Sequence, residues 1–498
     1  MDAHKSAVAT IAEQVKQFHT LQKPFRIYHG STNSTRRSSR RADNTIDTSH
    51  LTHILSVNTE SRTALVEPNV PMDALLAAAL KHDLLPHVVM EFPGITVGGA
   101  FSGTSGESSS FRYGAFDATV KSVEIVLPTG MVEMASKTAN KPLFWGAASA
   151  FGTLGVVTML EVELREAKRF VQMTYTVVGS AAAGLQVMEE AKAVDYLDGI
   201  TFTRGETVVC EGRLADLPKG EKEVRVLGKG DPWYYIHVKG VLERLKKQKG
   251  GTIVDYMPIE DYLFRYDRGG FWVGRYGFQY FITPFNRLTR YLLDKFMHAR
   301  VMYRAVHKSG LADTYMIQDV GVPYDKVDEF QSWLDKEFNI YPLWLCPLRV
   351  QRDDPDSCYG LHSQFGKPGA PNLMNFGIWG PMKANRREAV ERNRALERKV
   401  AELGGKKWLY AHAYYTEEEF WAHYDKQSYD ELREKYGAGY LPSVYDKVKV
   451  DVDEEERRVS ATWKSKARHA VGGVWPVRGA YGFYKAVRGG DYLMQKKK

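Results

Sequence analysis

Apolar residues recur at helical spacing in five stretches of the chain. Over residues 5–20 the side chains at that spacing are Val8, Ile11, Val15 and Phe18. Positions three and four residues apart share one face of a helix, so this stretch is predicted to be amphipathic. The same spacing predicts four more helices, one with Pro71 at its first position and others over residues 291–306, 385–403 and 417–424.

Shorter runs of alternating or continuously apolar residues predict strands. One such run, 25–28, leads into a small-residue turn, and the others cover residues 51–57, 63–67, 120–127, 131–134, 158–164, 170–178, 207–210 and 340–347. Pro128-Thr129-Gly130 between two of them is typical of a hairpin turn. This mixture predicts an α+β fold, with a first unit over residues 1–167 and a second beginning at residue 168.

The stretch 96–108 departs from both patterns. Its glycines, Gly98, Gly99, Gly103 and Gly106, lie among small hydroxyl residues without a helical period. Glycine lets the backbone approach a ligand closely, and successive N–H groups on such a turn form a concave anion site. We therefore predict a loop that wraps a large, phosphate-bearing cofactor, with a plain surface loop as the alternative. Two further turns share this character, at residues 29–35 and 151–157.

Composition places the chain among ordinary globular proteins. It has 498 residues, of which 44% are hydrophobic, and a formal net charge of +8. Its lysines and arginines are scattered, so we expect no nucleic-acid partner. Three cysteines are too few for a disulfide framework and indicate a reducing compartment. We expect no secretion signal, because the chain starts with polar residues, and no membrane span, because no run reaches about 18 apolar residues.

Aromatic residues are dense between residues 230 and 300. Such a cluster commonly fills a core, and it can instead line an apolar pocket or rest on a membrane. The predicted helix over 291–306 has basic residues opposite its apolar face, so a peripheral membrane contact stands beside an ordinary surface helix as an interpretation. The extension over 448–498 becomes basic and aromatic, and we expect a disordered terminus, with a membrane or partner contact as the alternative.

Motifs in both halves of the chain resemble one flavoprotein superfamily. They lie at residues 96–99, 107–110 with 113–114, 152–155, 318–319, 341–347, 409–411, 418–421 and 432–435. Their order is similar to that of the vanillyl-alcohol oxidase and p-cresol methylhydroxylase flavoproteins. Within that superfamily the sequence most resembles the Δ24-sterol reductases (24-dehydrocholesterol reductase, Diminuto/Dwarf type). Members of this type commonly begin with a membrane anchor, which we do not expect here.

The resemblance implies a domain order. An FAD-binding domain of the p-cresol methylhydroxylase type would cover residues 1–167, and an α/β cap that holds the substrate would cover 168–400. A segment over 401–447 would return to the FAD domain, followed by the extension over 448–498.

The resemblance also implies the cofactor and its binding residues. By matching, these are Gly30, Ser31, Thr32, Asn33, Ser34, Thr96, Val97, Gly98, Gly99, Gly103, Thr104, Ser105, Gly106, Glu107, Ser108, Gly152, Gly155, Val156 and Val157. Many relatives have a histidine bonded covalently to the flavin where this chain has Asn33. We therefore predict FAD bound without a covalent link, and a link to His29 is the alternative. No metal site is expected.

The activity implied is reduction of the side-chain C24–C25 double bond of a sterol, with NADPH as the electron donor. This reaction needs a hydride, which a flavin supplies, and a proton from a general acid. The candidate acids are Tyr410, Tyr414, His412 and Glu107, although a tyrosine here is commonly a core residue and His412 equally fits the surface.

Two other functions remain open at the level of the sequence. One keeps the fold and changes the reaction to oxidation of a polyol, a lactone or a phenol, which needs a polar pocket. The other is a sterol- or lipid-binding protein without turnover, which would not require two glycine turns. The expected location is cytoplasmic or peripheral on the endoplasmic reticulum membrane.

Overall fold

A computed structural model of the chain shows two large β-sheets and two small, two-stranded ones among the described residues. The structure describes residues 1–30, 34, 40–309, 315–382 and 384–453, together with Arg457, Tyr484 and residues 494–495. A six-stranded sheet lies in the N-terminal unit, and an eight-stranded sheet, which we call the cap sheet, is built from strands between residues 170 and 407. The mixture of helices and sheets confirms the α+β prediction.

The helices and strands alternate irregularly along the described chain. The helices are α1 (Asp2–Thr20), α2 (Met72–Leu80), α3 (Val97–Ser102), α4 (Ser110–Tyr113), α5 (Lys141–Ala147), α6 (Ala181–Glu190), α7 (Tyr234–Gln248), α8 (Ile259–Leu263), α9 (Val273–Tyr280), α10 (Arg287–Leu293), α11 (Ala299–Ser309), α12 (Val327–Glu337), α13 (Arg386–Glu402), α14 (Glu417–His423), α15 (Lys426–Lys435) and α16 (Val444–Val448). The strands are β1 (Arg26–Tyr28), β2 (Arg40–Arg41), β3 (Thr45–Asp47), β4 (Ile54–Asn58), β5 (Thr63–Val66), β6 (Leu84–Pro86), β7 (Val120–Val126), β8 (Val132–Ser136), β9 (Val156–Glu166), β10 (Phe170–Val178), β11 (Tyr196–Thr203), β12 (Glu206–Ala215), β13 (Thr252–Pro258), β14 (Tyr315–Pro323), β15 (Leu343–Leu348), β16 (Leu373–Pro381), β17 (Lys406–Lys407) and β18 (Met494–Gln495). Among the described residues, no helix combines the length and the apolar character needed to cross a bilayer.

The N-terminal sheet is antiparallel, in the order β4-β5-β9-β7-β8, with β6 also paired to β9. The predicted hairpin is confirmed as β7 and β8. The predicted first helix is confirmed as α1, which buries Val8, Ile11 and Val15. These side chains share a core cluster with Val126 and Val156, which pair with each other at the ends of β7 and β9, so the helix packs against that end of the sheet.

The cap sheet is antiparallel throughout, in the order β13-β10-β12-β11-β15-β16-β14-β17. Helices α6, α12 and α13 cover one face. Successive side chains of a strand point to opposite faces, and β15 shows this. Leu345 packs toward those helices, whereas Trp344 and Cys346 belong to the cluster on the other side, which faces the N-terminal unit.

The last described helices contact the N-terminal unit. The Tyr429 hydroxyl of α15 lies 2.7 Å from the Thr153 hydroxyl, and the Tyr436 hydroxyl donates a hydrogen bond to the side-chain carbonyl of Asn140 at 2.9 Å. The predicted helix over 417–424 is confirmed as α14, where Thr416 caps the first turn. Most of the extension over 448–498 lies outside the described residues.

The glycine stretch is not entirely a loop, because it contains the short helix α3. Thr96 caps this helix: its hydroxyl accepts the Gly99 N–H at 3.2 Å. Gly98 lets the helix pack against the preceding chain, since a Cβ there would lie 2.7 Å from Cβ of Pro68. A six-residue helix is too short for its period to appear in the sequence, which is why the expectation of a loop was wrong there.

The single helix predicted over 291–306 is also wrong. The chain forms α10, a 3-10 turn and then α11. The break falls at Asp294, whose carboxylate accepts a hydrogen bond from the buried Arg268 at 2.8 Å. At the start of α11, His298 bonds Asp267 at 2.6 Å. These two hydrogen bonds hold the chain in a turn at a place where the spacing of apolar residues predicts one unbroken helix.

Two helix starts follow the sequence signals closely. The helix predicted over 385–403 is confirmed as α13, with Asn385 and Glu388 forming a reciprocal capping box. Pro71 is the N-cap of α2 and not its first helical residue, because its backbone is extended. The predicted position was therefore off by one residue.

A buried arginine joins the two units. Arg265 is fully buried and donates to Glu107 of the N-terminal unit at 3.2 Å and to Asp198 of β11 at 2.8 Å. Tyr266 and the Trp344 indole also donate to the Asp198 carboxylate, at 2.9 and 3.0 Å. Since an unpaired buried charge is costly, each of these groups depends on the others being in place.

Replacing this arginine with an apolar residue should strongly destabilise the protein. In Arg265→Met, Glu107 and Asp198 lose their shared cation, and we expect the free energy of unfolding to fall by about 3–5 kcal/mol. Urea denaturation followed by circular dichroism measures this. The control, Arg213→Met at an exposed position of β12, should change the free energy by less than about 0.5 kcal/mol. Equal behaviour of the two variants would contradict a bridging role for Arg265.

Candidate active site

A cavity of about 360 Å³ lies between the N-terminal unit and the inner face of the cap sheet. Both units contribute to its wall. The predicted cofactor-binding residues that line it are Ser34, Thr96, Gly98, Gly99, Gly103, Ser105, Gly106, Gly152, Gly155, Val156 and Val157. The structure therefore brings all three predicted turns to one cavity.

The other predicted cofactor residues do not line this cavity. Val97 packs in the core, and Thr104 lines smaller neighbouring cavities. Glu107 and Ser108 are buried in the network around Arg265. Gly30 lies beside the wall at a φ of +77°. Ser31, Thr32 and Asn33 lie outside the described residues.

At two positions of the cavity wall, neighbouring atoms lie close to where a side chain would begin, and both positions are glycine. Gly155 has a φ of +136°, and a Cβ there would lie 2.7 Å from the carbonyl oxygen of Val126. At Gly106 a Cβ would lie 2.7 Å from a methyl group of Leu348 in the cap. At Gly155 the close atom is backbone and φ is positive, so a larger residue would push the turn away from β7, whereas at Gly106 it would have to displace the Leu348 side chain.

One end of the cavity is cationic, with Arg26, His29, Arg40 and Lys447 along it. Burial and the nearby positive charges, Arg40 first among them, lower the pKa of His29 to about 3, so its imidazole is neutral. Arg40 donates to Nε2 of His29 at 3.2 Å. Because a neutral imidazole carries one proton, that proton must be on Nδ1.

Nδ1 of His29 is buried and has no hydrogen-bond partner among the described residues. A buried donor without a partner is costly and needs an acceptor. The cationic surroundings favour an anionic one. The diphosphate of FAD fits this end of the cavity in charge and in hydrogen-bonding chemistry.

The other end is aromatic and comes mainly from the cap. Phe271, Trp344, Trp379 and Trp408 line it. The rings of Phe271 and Trp379 lie 3.9 Å apart between centroids, and Trp344 is held by its bond to Asp198. Part of the aromatic cluster predicted from the sequence thus fills the core, and Phe271 also lines the cavity. Such a wall can hold a rigid apolar molecule.

A hydrogen-bonded carboxyl group also lines the cavity, close to Trp344 and Trp379. The Tyr410 hydroxyl donates to Asp319 at 2.6 Å, and the Asn375 amide donates to the other oxygen of Asp319 at 3.0 Å. Burial raises the pKa of Asp319 to about 6 and that of Tyr410 well above its usual range. Of the four predicted acids, Tyr410 is the one that lines the cavity.

The structure places the remaining predicted acids elsewhere. His412 is buried, and its backbone oxygen accepts a bond from Gln318 at 3.3 Å. The Tyr414 backbone N–H donates to Glu397. Glu107 is paired with Arg265. The assignment of these three residues as proton donors stays a prediction. It would require a path along which a proton could pass from each of them to the cavity.

Glu91 is a cavity residue that the sequence reasoning missed. It lines the wall just before the glycine stretch, and burial, reinforced by the negative charges of Glu107 and Asp319, raises its pKa to about 8. It is therefore protonated at neutral pH and can donate a proton. No local motif marks it, because the three carboxyl groups come together only through the fold. Asp319 belongs to the motif at residues 318–319, but the sequence did not indicate that it would line the cavity.

Comparison with known proteins agrees with these features. Residues 6–136 match the family described as FAD binding domain. The chain is 28% identical over 415 residues to a human Delta(24)-sterol reductase, covering 80% of this chain and 76% of that protein. It is 28% identical over 438 residues to the Arabidopsis thaliana Delta(24)-sterol reductase, covering 81% and 76%.

A more distant similarity is confined to one part of the chain. Cytokinin dehydrogenase 4 of Oryza sativa is 26% identical over 149 residues, which is 29% of this chain and 28% of that protein. The similarity to the sterol reductases extends much further. This chain is therefore an FAD-dependent oxidoreductase with an FAD binding domain, similar over most of its length to the Delta(24)-sterol reductases.

Proposed function

We propose that this protein reduces the isolated C24–C25 double bond in the side chain of a sterol. The observation that supports this most is a single cavity whose cationic, glycine-lined end fits a dinucleotide and whose other end is aromatic. The hydroxyl groups of a polyol would find few hydrogen-bonding partners on an aromatic wall. This favours reduction of an alkene over oxidation of a polyol. The names of the similar proteins point to the same class of substrate.

The cavity residues suggest how the cofactor would be held. The backbone around Gly98, Gly99, Gly152 and Gly155 would lie against it, and Nδ1 of His29 would donate to its diphosphate. When it is bound and has been reduced by two electrons, FAD would supply the hydride for the double bond. The protein must then exclude water, orient the apolar substrate and deliver a proton to the second carbon.

We propose Glu91 as the proton donor. Its raised pKa keeps a proton on the carboxyl group at neutral pH, whereas a tyrosine with a pKa well above its usual range releases its proton poorly. In the reaction one carbon gains the hydride and the other gains the Glu91 proton, leaving a carboxylate that solvent reprotonates. The pair formed by Tyr410 and Asp319 would position the substrate beside it.

The electron donor and the location also belong to this proposal. NADPH is the donor that the family resemblance implies, and it would reduce the bound FAD before the sterol is converted. A peripheral position on the endoplasmic reticulum membrane would place the protein where apolar sterols partition.

The proposed reaction predicts a change in substrate mass. Purified protein loaded with FAD, incubated with NADPH and a Δ24-unsaturated sterol under low oxygen, should yield a sterol heavier by two hydrogens, detected by mass spectrometry. If NADPH bleaches the flavin while the sterol is unchanged, the proposed substrate is wrong. Reduction of the flavin by a polyol or a lactone, but not by NADPH, would favour the oxidase alternative.

Replacing Glu91 should slow turnover without preventing FAD binding. In Glu91→Gln the side chain keeps its size but cannot donate a proton, so we expect kcat to fall about 100-fold or more. In the wild type, activity should fall as pH rises through about 8, because the protonated carboxyl is lost there. The variant should lose this step in the pH profile.

Glu211→Gln is the matched control for this experiment. Glu211 also has a raised pKa from burial, but it lies on β12 and does not line the cavity. It should keep the wild-type rate and pH profile. If Glu91→Gln also kept both, Glu91 would not be the proton donor.

The cofactor should be non-covalent and should depend on His29. Acid or heat denaturation should release the flavin into the supernatant. His29→Ala removes a donor to a charged group and should raise the Kd for FAD about tenfold, measured by flavin fluorescence. His50→Ala, an exposed position, should leave the Kd unchanged. Flavin that stays with the denatured protein, and is lost in His29→Ala, would support the covalent alternative.

A further inference from the structure

An outward-facing apolar surface lies on the cap segment that also lines the cavity. Among the described residues, twelve large apolar side chains are exposed, and five of them fall between residues 281 and 292. These five are Phe281, Ile282, Leu288, Tyr291 and Leu292, and we call them the exposed apolar face. Ile282 is the most exposed of them, at 75%.

Helix α10 presents this surface in an unusual orientation. Leu288, Tyr291 and Leu292 are spaced three and four residues apart, so they share one side of the helix. An amphipathic helix of a globular protein normally turns that side to the core, yet these three side chains are 66%, 45% and 63% exposed. In the loop before α10, Ile282 has a φ of +50°, a conformation that β-branched residues rarely adopt.

The segment that carries the exposed apolar face is strongly basic, and Lys229 of a neighbouring loop lies 4.1 Å from the ring of Tyr291. Residues 269–309 contain seven basic residues and a single acidic one, Asp294. Asp294 is buried against Arg268 and does not contribute to the surface. The exposed basic residues of the segment are Arg275, Arg287, Lys295 and Arg300. A partner that covers this surface therefore needs both apolar and anionic groups.

The same segment forms part of the cavity wall. Val273 at the start of α9 and Ala299, Met302 and Tyr303 of α11 line the cavity. The segment that presents the exposed apolar face therefore also contributes side chains to the cavity wall. A surface that met a lipid phase would place that phase beside the wall that holds the substrate.

We propose that the exposed apolar face and its surrounding basic residues dock on the surface of an anionic lipid bilayer. The apolar side chains would enter the region between headgroups and acyl chains, and the arginines and lysines would contact lipid phosphates and carboxylates. The docking itself does not depend on the reaction proposed above. Its purpose, to draw an apolar substrate from the bilayer into the cavity, does rest on that proposed function.

Vesicle flotation with the full-length protein loaded with FAD tests the docking. We expect the protein to float with vesicles of phosphatidylcholine containing about one third phosphatidylserine, and much less with phosphatidylcholine alone. Added salt should lower the bound fraction, because it screens the basic residues. Absence of binding to the anionic vesicles at low salt would overturn the proposal.

Two variants separate the apolar and the basic contributions. Ile282→Asp with Leu292→Asp should lower the bound fraction about tenfold on anionic vesicles. Arg287→Glu with Lys295→Glu should remove the preference for phosphatidylserine. Each variant should keep the FAD content and the circular dichroism spectrum of the wild type, because the altered side chains are exposed.

Matched controls change the same residue types elsewhere. Met131→Asp with Met134→Asp alters two exposed apolar side chains of the β8 hairpin. Lys239→Glu with Lys247→Glu alters two exposed lysines of α7. Both should bind like the wild type. Equal loss of binding in the variants and their controls would contradict a specific surface.

The alternative occupant is a second copy of the chain. Light scattering in the absence of lipid should show no oligomer that Ile282→Asp with Leu292→Asp dissociates; finding one would overturn the proposal in favour of a protein interface. With sterol supplied in vesicles, this variant should turn over about tenfold more slowly than the wild type. With sterol supplied in cyclodextrin the two should be equal. If the wild type converts neither form while it still floats, the reaction is wrong and the docking stands.

Discussion

The shared cation at Arg265 is the constraint on which the arrangement of the two units depends. A fully buried guanidinium needs its carboxylates within hydrogen-bonding distance, and those carboxylates come from different units, Glu107 from the glycine stretch and Asp198 from the cap sheet. Asp198 in turn fixes the indole of Trp344 on the cavity wall. Separating the units would leave charges buried without partners, so the network fixes the distance between the glycine turns and the aromatic wall.

Burial at the cavity wall sets the protonation states of two groups that line it. Burial and the positive charges of Arg40 and Lys447 lower the pKa of His29, whereas burial and the negative charges of Glu107 and Asp319 raise the pKa of Glu91, so both groups are uncharged at neutral pH. Glu107 affects two other groups. It forms an ion pair with Arg265, and its negative charge also helps to raise the pKa of Glu91. A cationic part and an aromatic part of one cavity wall thus follow from one packing arrangement.

The sequence predicted the parts of this arrangement that depend on local pattern. The hairpin of β7 and β8, helix α13 and the three glycine turns all have short-range signals. The break at Asp294 had no such signal, since it depends on Arg268, which is distant in sequence from the predicted helix. Glu91 was missed for the same reason: an isolated glutamate has an ordinary pKa until the fold places Glu107 and Asp319 near it. The outward orientation of α10 also required the structure, because apolar spacing is the same whichever way a helix faces.

The most direct test of the account is to ask whether electrons on the cofactor pass to an alkene in this cavity. The FAD-loaded protein is reduced with dithionite without oxygen and mixed with a Δ24-unsaturated sterol, and the visible absorbance of the flavin is followed. The account predicts that the absorbance of oxidised flavin returns at a rate that saturates with sterol, with saturated sterol formed in an equal amount. Absorbance that stays bleached with the sterol and returns only when oxygen is admitted would contradict it.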